Sequence, residues 1–179
     1  MRAISIVCGA LLAALAGCGS GKTVVLRPAQ DPVRVSSVEV GEGRSTVEVP
    51  EETKEYFRRQ LEDRLWKEEQ FRKGSELRIT YRFIQFNPGS QFSRWMLGGI
   101  GNAGEGTITV EASFTDAAET EIASIQADGR IGSGFFGGSF NSAVDRAVEE
   151  IAKYARQNFR KSAVEPVAVP APAVVSERP

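Results

Sequence analysis

Apolar residues fall at Val33, Val35, Val38 and Val40, close to every second position, and resume at Val47 and Val49 beyond Gly41-Glu42-Gly43. A two-residue period lines one face of an extended chain, so this stretch predicts a hairpin turning at the glycines. Pro50 suits the first position of a helix running to about Gln70, with Glu51 and Glu52 near the positive end of its dipole. Phe57, Leu61 and Leu65 recur every four residues along it, while Glu55-Arg59 and Asp63-Lys67 form i,i+4 pairs on its wet side. Beyond Gly74, Leu77, Ile79, Tyr81 and Phe83 alternate with Arg78, Thr80 and Arg82 in the clearest strand. Further strands are predicted from Thr107 to Phe114 and from about Glu121 to Ile131, joined by a hairpin loop through Asp116 to Thr120. A last helix, from about Ser142 to Phe159, carries Val144, Ala147, Val148, Ile151, Ala152, Ala155 and Phe159 on one broad stripe. The expected fold class is α+β: one mainly antiparallel sheet of four to five strands with two helices packed on one face. If the strands flanking the first helix are parallel, the crossover through it should be right-handed.

The first residues follow a different pattern. Met1 and Arg2 precede an apolar run from Ala3 to Ala16 that is too short to span a bilayer, as in a secretory signal. It ends in Leu15-Ala16-Gly17-Cys18, which resembles the lipobox of bacterial lipoproteins. The resemblance implies cleavage before Cys18, alkylation of its thiol by diacylglycerol and tethering to a membrane facing the periplasm. Gly19, where retention in the inner membrane usually needs Asp, favours the outer membrane by the same resemblance. The alternative is an ordinary cleaved signal peptide that leaves Cys18 as a free thiol. The expected organisation is a signal at 1–17, a lipid-anchored spacer at 18–31, one domain at 32–160 and a Pro/Ala-rich disordered tail at 161–179.

Composition narrows the chemistry. The chain has no histidine, and its other cysteine, Cys8, would leave with the signal, so no internal disulfide is expected. Without histidine or a free thiol the usual nucleophilic, acid-base and metal constellations cannot be assembled, and no cofactor or metal is implied. About 130 residues suffice for one unstapled core. A formal charge of -1, falling to about -2 without Arg2, gives no excess to neutralise phosphates, so nucleic acid is not an expected partner.

Three glycine motifs suggest nucleotides and fail on context. Gly19-Ser20-Gly21-Lys22-Thr23 reads like the end of a phosphate-binding loop, but cleavage before Cys18 would cut the motif and Pro28 stops any following helix. Gly99 to Gly104 matches a dinucleotide fingerprint but precedes a strand, and Gly132 to Gly137 has no second strand after its helix. Neither nucleotide nor dinucleotide binding is expected. The glycines either serve turns and close approaches or belong to loops offering apolar side chains to a partner. For the second case the candidates are Arg94, Trp95, Met96 and Leu97 in one loop and Phe135 and Phe136 in the other, with Phe92 beside the first set.

The run Asn87-Pro88-Gly89-Ser90, Arg94, Gly98 to Gly106, a Thr-rich strand, an acidic turn, a second glycine cluster and a final Ala/Val helix resembles the lipoprotein family called domain of unknown function 4410. The likeness spans Val33 to Phe159, with Glu119-Thr120 standing where that family's turn usually has Thr-Gly. It implies an envelope lipoprotein and supplies no catalytic residues. The function expected is a non-enzymatic, membrane-anchored interaction module of an envelope assembly or transport system, with an unidentified envelope protein as partner. One alternative is an envelope-polymer enzyme using paired carboxylates, Glu149-Glu150 or Glu51-Glu52, though adjacent residues on a helix point about 100 degrees apart. Another is a structural lipoprotein bound to the cell wall through its tail.

Overall fold

Alternation in the middle of the chain builds the sheet. The computed structural model describes residues 21–29, 33–89, 106–131 and 140–161. Strands β4 (Leu77–Asn87), β5 (Thr107–Asp116) and β6 (Glu121–Arg130) are antiparallel neighbours. Before them in the chain lie β1 (Lys22–Arg27), β2 (Ser37–Glu42), helix α1 (Glu51–Asp63) and the short β3 (Arg72–Lys73). Helix α2 (Phe140–Phe159) comes last. The sheet runs β1-β6-β5-β4-β2-β3.

The class is α+β, as the periodicity implied, but the sheet differs in detail. It has six strands and is mixed, because β2 pairs parallel with β4 and β3 parallel with β2. Two expectations fail for identifiable reasons. The hairpin at Gly41 to Gly43 does not form: beyond β2 the chain keeps following β4, with the Gly43 amide donating to the Tyr81 carbonyl at 2.8 Å and the Thr46 amide to that of Phe83 at 3.0 Å. Those contacts satisfy the free edge of β4 that a returning strand would have left open. Residues 22–27, expected to lie in a spacer, form β1, which pairs antiparallel with β6 from Lys22 opposite Asp128.

Both helices cover one face of the sheet. Phe57 of α1 meets Tyr81 and Phe83 at ring distances of 4.7 and 5.2 Å. Ile79, on the same face of β4, lies opposite Phe114, which in turn meets Tyr154 and Phe159 of α2 at 5.2 Å each. Side chains of this size are each stabilised by about 1.5–3 kcal/mol on burial, so Phe57→Ala would cost about 3–5 kcal/mol. Pro50 caps α1 from outside rather than starting it, its carbonyl accepting from the Thr53 and Lys54 amides. The helix then widens into a π turn at Arg64–Glu68, where the Glu69 amide reaches back to Arg64. Gln70, at φ 58, ends it in the left-handed region.

Candidate functional site

The strand ends determine what lies together. Asn87 pairs with Thr107, Thr107 with Arg130, and Lys22 with Asp128, so the end of β4, the start of β5, the end of β6 and the start of β1 share one end of the sheet. Helix α2 also begins there: Phe140 stacks edge-on against Phe86 at 5.2 Å.

The anchor and partner-docking residues read from the sequence lie outside the described residues: Cys18, Arg94, Trp95, Met96, Leu97, Phe135 and Phe136. The described residues that flank them are in place, however. The segment holding Arg94 to Leu97 leaves at Gly89 and returns at Gly106, and that holding Phe135 and Phe136 leaves at Ile131 and returns at Phe140. These flanks touch. The Ile131 amide donates to the Gly106 carbonyl at 2.9 Å, and a Cβ on Gly106 would fall 2.4 Å from Ile131 Cδ1 and 3.3 Å from Phe140 Cδ2. Close approach therefore accounts for a glycine at 106.

Lys22 and Thr23, which ended the phosphate-loop lookalike, are the first residues of a strand, without the helix that such a loop requires. Thr23 Oγ1 donates to Glu150 Oε2 at 2.6 Å, tying β1 to α2. Gly21 lies against the same side chain, where a Cβ would come within 3.0 Å of Glu150 Cγ. The chain thus reaches the sheet beside α2, four residues beyond Cys18.

Periodicity did not reveal the outer side of β1. Val24, Val25 and Leu26 are 38%, 47% and 49% exposed, the exposed large hydrophobics among the described residues. They are consecutive, and Leu26 is the residue passed over where the register with β6 slips between Val25 and Arg27. An edge strand wetted on both faces shows no alternation, which hid it; a β-branched run from Thr23 to Val25 was the available signal.

Of the carboxylates weighed for catalysis, Glu150 and Glu51 have other contacts. Glu150 accepts from Thr23 and lies 3.9 Å from Lys153, and Glu51 lies 3.3 Å from Lys54. Among the described residues no group of three or more His, Cys, Asp or Glu is placed to hold a metal ion. On the sheet face away from the helices, Arg82 pairs with Glu111 at 2.8 Å and Arg78 with Glu39 at 3.4 Å, with the cross-strand neighbours Thr80 and Ser113 also on that face. A shallow groove of about 420 Å³ at the far edge is lined by Val38, Val40, Trp66 and Lys73, with the Lys73 ammonium 4.1 Å from the Trp66 ring centre. No described helix is long and apolar enough to cross a membrane.

No protein-family model and no curated protein matches the chain. Solved structures with similar backbones include two dodecamers of PelC from Paraburkholderia phytofirmans. One, a PelC variant, has 15% identity over 80% of this chain and 100% of that chain, with a TM-score of 0.48. The other has 14% identity with the same coverage and a TM-score of 0.46.

Proposed function

We propose that the chain is a lipoprotein anchored through Cys18 to the periplasmic face of the outer membrane, working as a non-enzymatic interaction module of an envelope assembly or transport system. The observation that carries this reading is the convergence at one end of the sheet. Lys22, four residues past the cysteine, starts β1 where the flanks of both apolar, glycine-containing segments meet, with Gly106, Ile131 and Phe140 in contact. A lipid on Cys18 then holds that end near the membrane, and Arg94 to Leu97 together with Phe135 and Phe136 supply the types of side chain that anchor protein partners.

Two measurements test it. Palmitate labelling should mark the wild type and not Cys18→Ser; equal labelling would remove the anchor. A photocrosslinker at Trp95 should capture a defined envelope protein, and the yield should fall when Arg94 is replaced by alanine in chains that remain folded. An unchanged crosslinking pattern would remove the docking role.

A further inference from the structure

Building on the anchor at Cys18, we infer that the outer edge of β1, Val24 to Leu26, is a lipid-contacting strip that lies on the phospholipid surface and orients the domain.

The tether makes lipid the nearest partner. From Cys18 to Lys22 there are four steps of chain, at most about 14 Å when fully extended, and the strand then advances about 3.3 Å per residue. A domain held so closely keeps the start of its first strand within about 14 Å of the anchor, and its rotation decides whether β1 lies along the bilayer surface or points away from it. Among the described residues, Val24, Val25 and Leu26 of that strand carry the large exposed apolar side chains. They are bracketed by Lys22 and Arg27, both exposed, and Arg27 is only loosely paired with Glu121 at 3.9 Å. Apolar side chains at the acyl boundary with flanking cations at the phosphates is the arrangement that suits an anionic bilayer interface.

An open edge strand with apolar side chains is a liability in water, because its free amides and carbonyls template pairing with other chains. Contact with the bilayer surface covers the apolar part of that edge. The strand itself is held in place from behind by the bond from Thr23 to Glu150. The lipid would thus supply attachment and the β1 edge orientation.

The test uses the lipidated full chain in vesicles of phosphatidylethanolamine and phosphatidylglycerol, with an environment-sensitive fluorophore on Val25→Cys and, in a second protein, on Ser75→Cys, exposed beside β3 near the opposite edge. Mass spectrometry reports the state of Cys18 in each. With Cys18 lipidated, spin-labelled lipids should quench the Val25 probe at least threefold more than the Ser75 probe. Equal quenching in lipidated protein would overturn the strip and leave the anchor standing. So would Val25-to-Val25 crosslinking between copies without quenching, since the edge would then be covered by a second chain. An unmodified Cys18 would overturn the anchor and the strip together.

Discussion

Thr23 and Glu150, 127 residues apart in sequence, share a 2.6 Å hydrogen bond that joins the first strand to the last helix. The carboxylate is the acceptor and its side chain is 19% exposed, so the bond lies in the range where a charged partner matters. Thr23→Val keeps the β-branched shape and removes the donor. The expected result is a loss of about 1–2 kcal/mol, with faster amide exchange across residues 22–27 than across β5. Unchanged exchange in β1 would show that pairing with β6 alone holds the strand.

Gly129 and Gly41 should respond in opposite ways to alanine. A Cβ at Gly129 would sit 1.8 Å from the Ala143 carbonyl oxygen, a contact that neither β6 nor α2 can relieve without separating, so Gly129→Ala should yield little folded protein. Around Gly41 nothing lies within 4 Å of the added carbon. Gly41→Ala should leave stability unchanged or raise it by up to about 1 kcal/mol. Thermal melts of the pair check both, and a folded, stable Gly129→Ala protein would mean that α2 packs less closely on β6.

Glu119 takes φ 61 in the turn between β5 and β6, where Asp116 accepts from the amides of Ala118 and Thr120. A side chain in that conformation costs about 1–2 kcal/mol, part of which glycine loses again through its freer unfolded chain. Its ion pair with Arg78, at 3.8 Å with Glu119 83% exposed, is too solvated to compensate. Glu119→Gly should therefore stabilise the domain by about 0.5–1 kcal/mol. A lower denaturation midpoint would show that the glutamate contributes something beyond the turn.

Tyr81 is fully buried between Phe57 and Phe83, and its hydroxyl has no hydrogen-bond partner among the described residues. Leaving such a group unsatisfied costs about 1–3 kcal/mol, so Tyr81→Phe should be neutral or stabilising near pH 7. Burial, and then the charge of Glu42, push its ionisation well above the ordinary tyrosine value, against a smaller opposing pull from Arg58. The folded state therefore keeps the proton to higher pH than the unfolded chain does. This protection is complete below about pH 10 and is lost as the pH rises beyond that. Tyr81→Phe should accordingly flatten the fall in stability above pH 10, measured by urea midpoints across that range; parallel curves would refute the assignment.

The sequence by itself determined the elements whose side chains alternate against one neighbour. Tyr81 and Phe83 on β4, Ile108, Val110, Ala112 and Phe114 on β5, Phe57 with Leu61 and Leu65, and the apolar stripe of α2 from Val144 to Phe159 are all buried as their spacing implied. Their burial follows from local geometry, since a strand or helix with one apolar face has only one way to hide it. The likeness of residues 15–18 to a lipobox is likewise a property of adjacent residues, and it lies outside the described residues. Tertiary structure decided what depends on distant partners. Val47 and Val49 are spaced like a strand, but β4 took its bonds from Gly43 and Thr46 and carried the chain on to α1. Residues 22–27 became a strand because β6 offered a free edge and Glu150 a hydrogen-bond acceptor, neither of which leaves a mark in the sequence near Val24. An edge strand exposes both faces, so it has no periodicity to read. The side chains that most distinguish the candidate membrane-facing edge were for that reason visible only once the sheet was assembled.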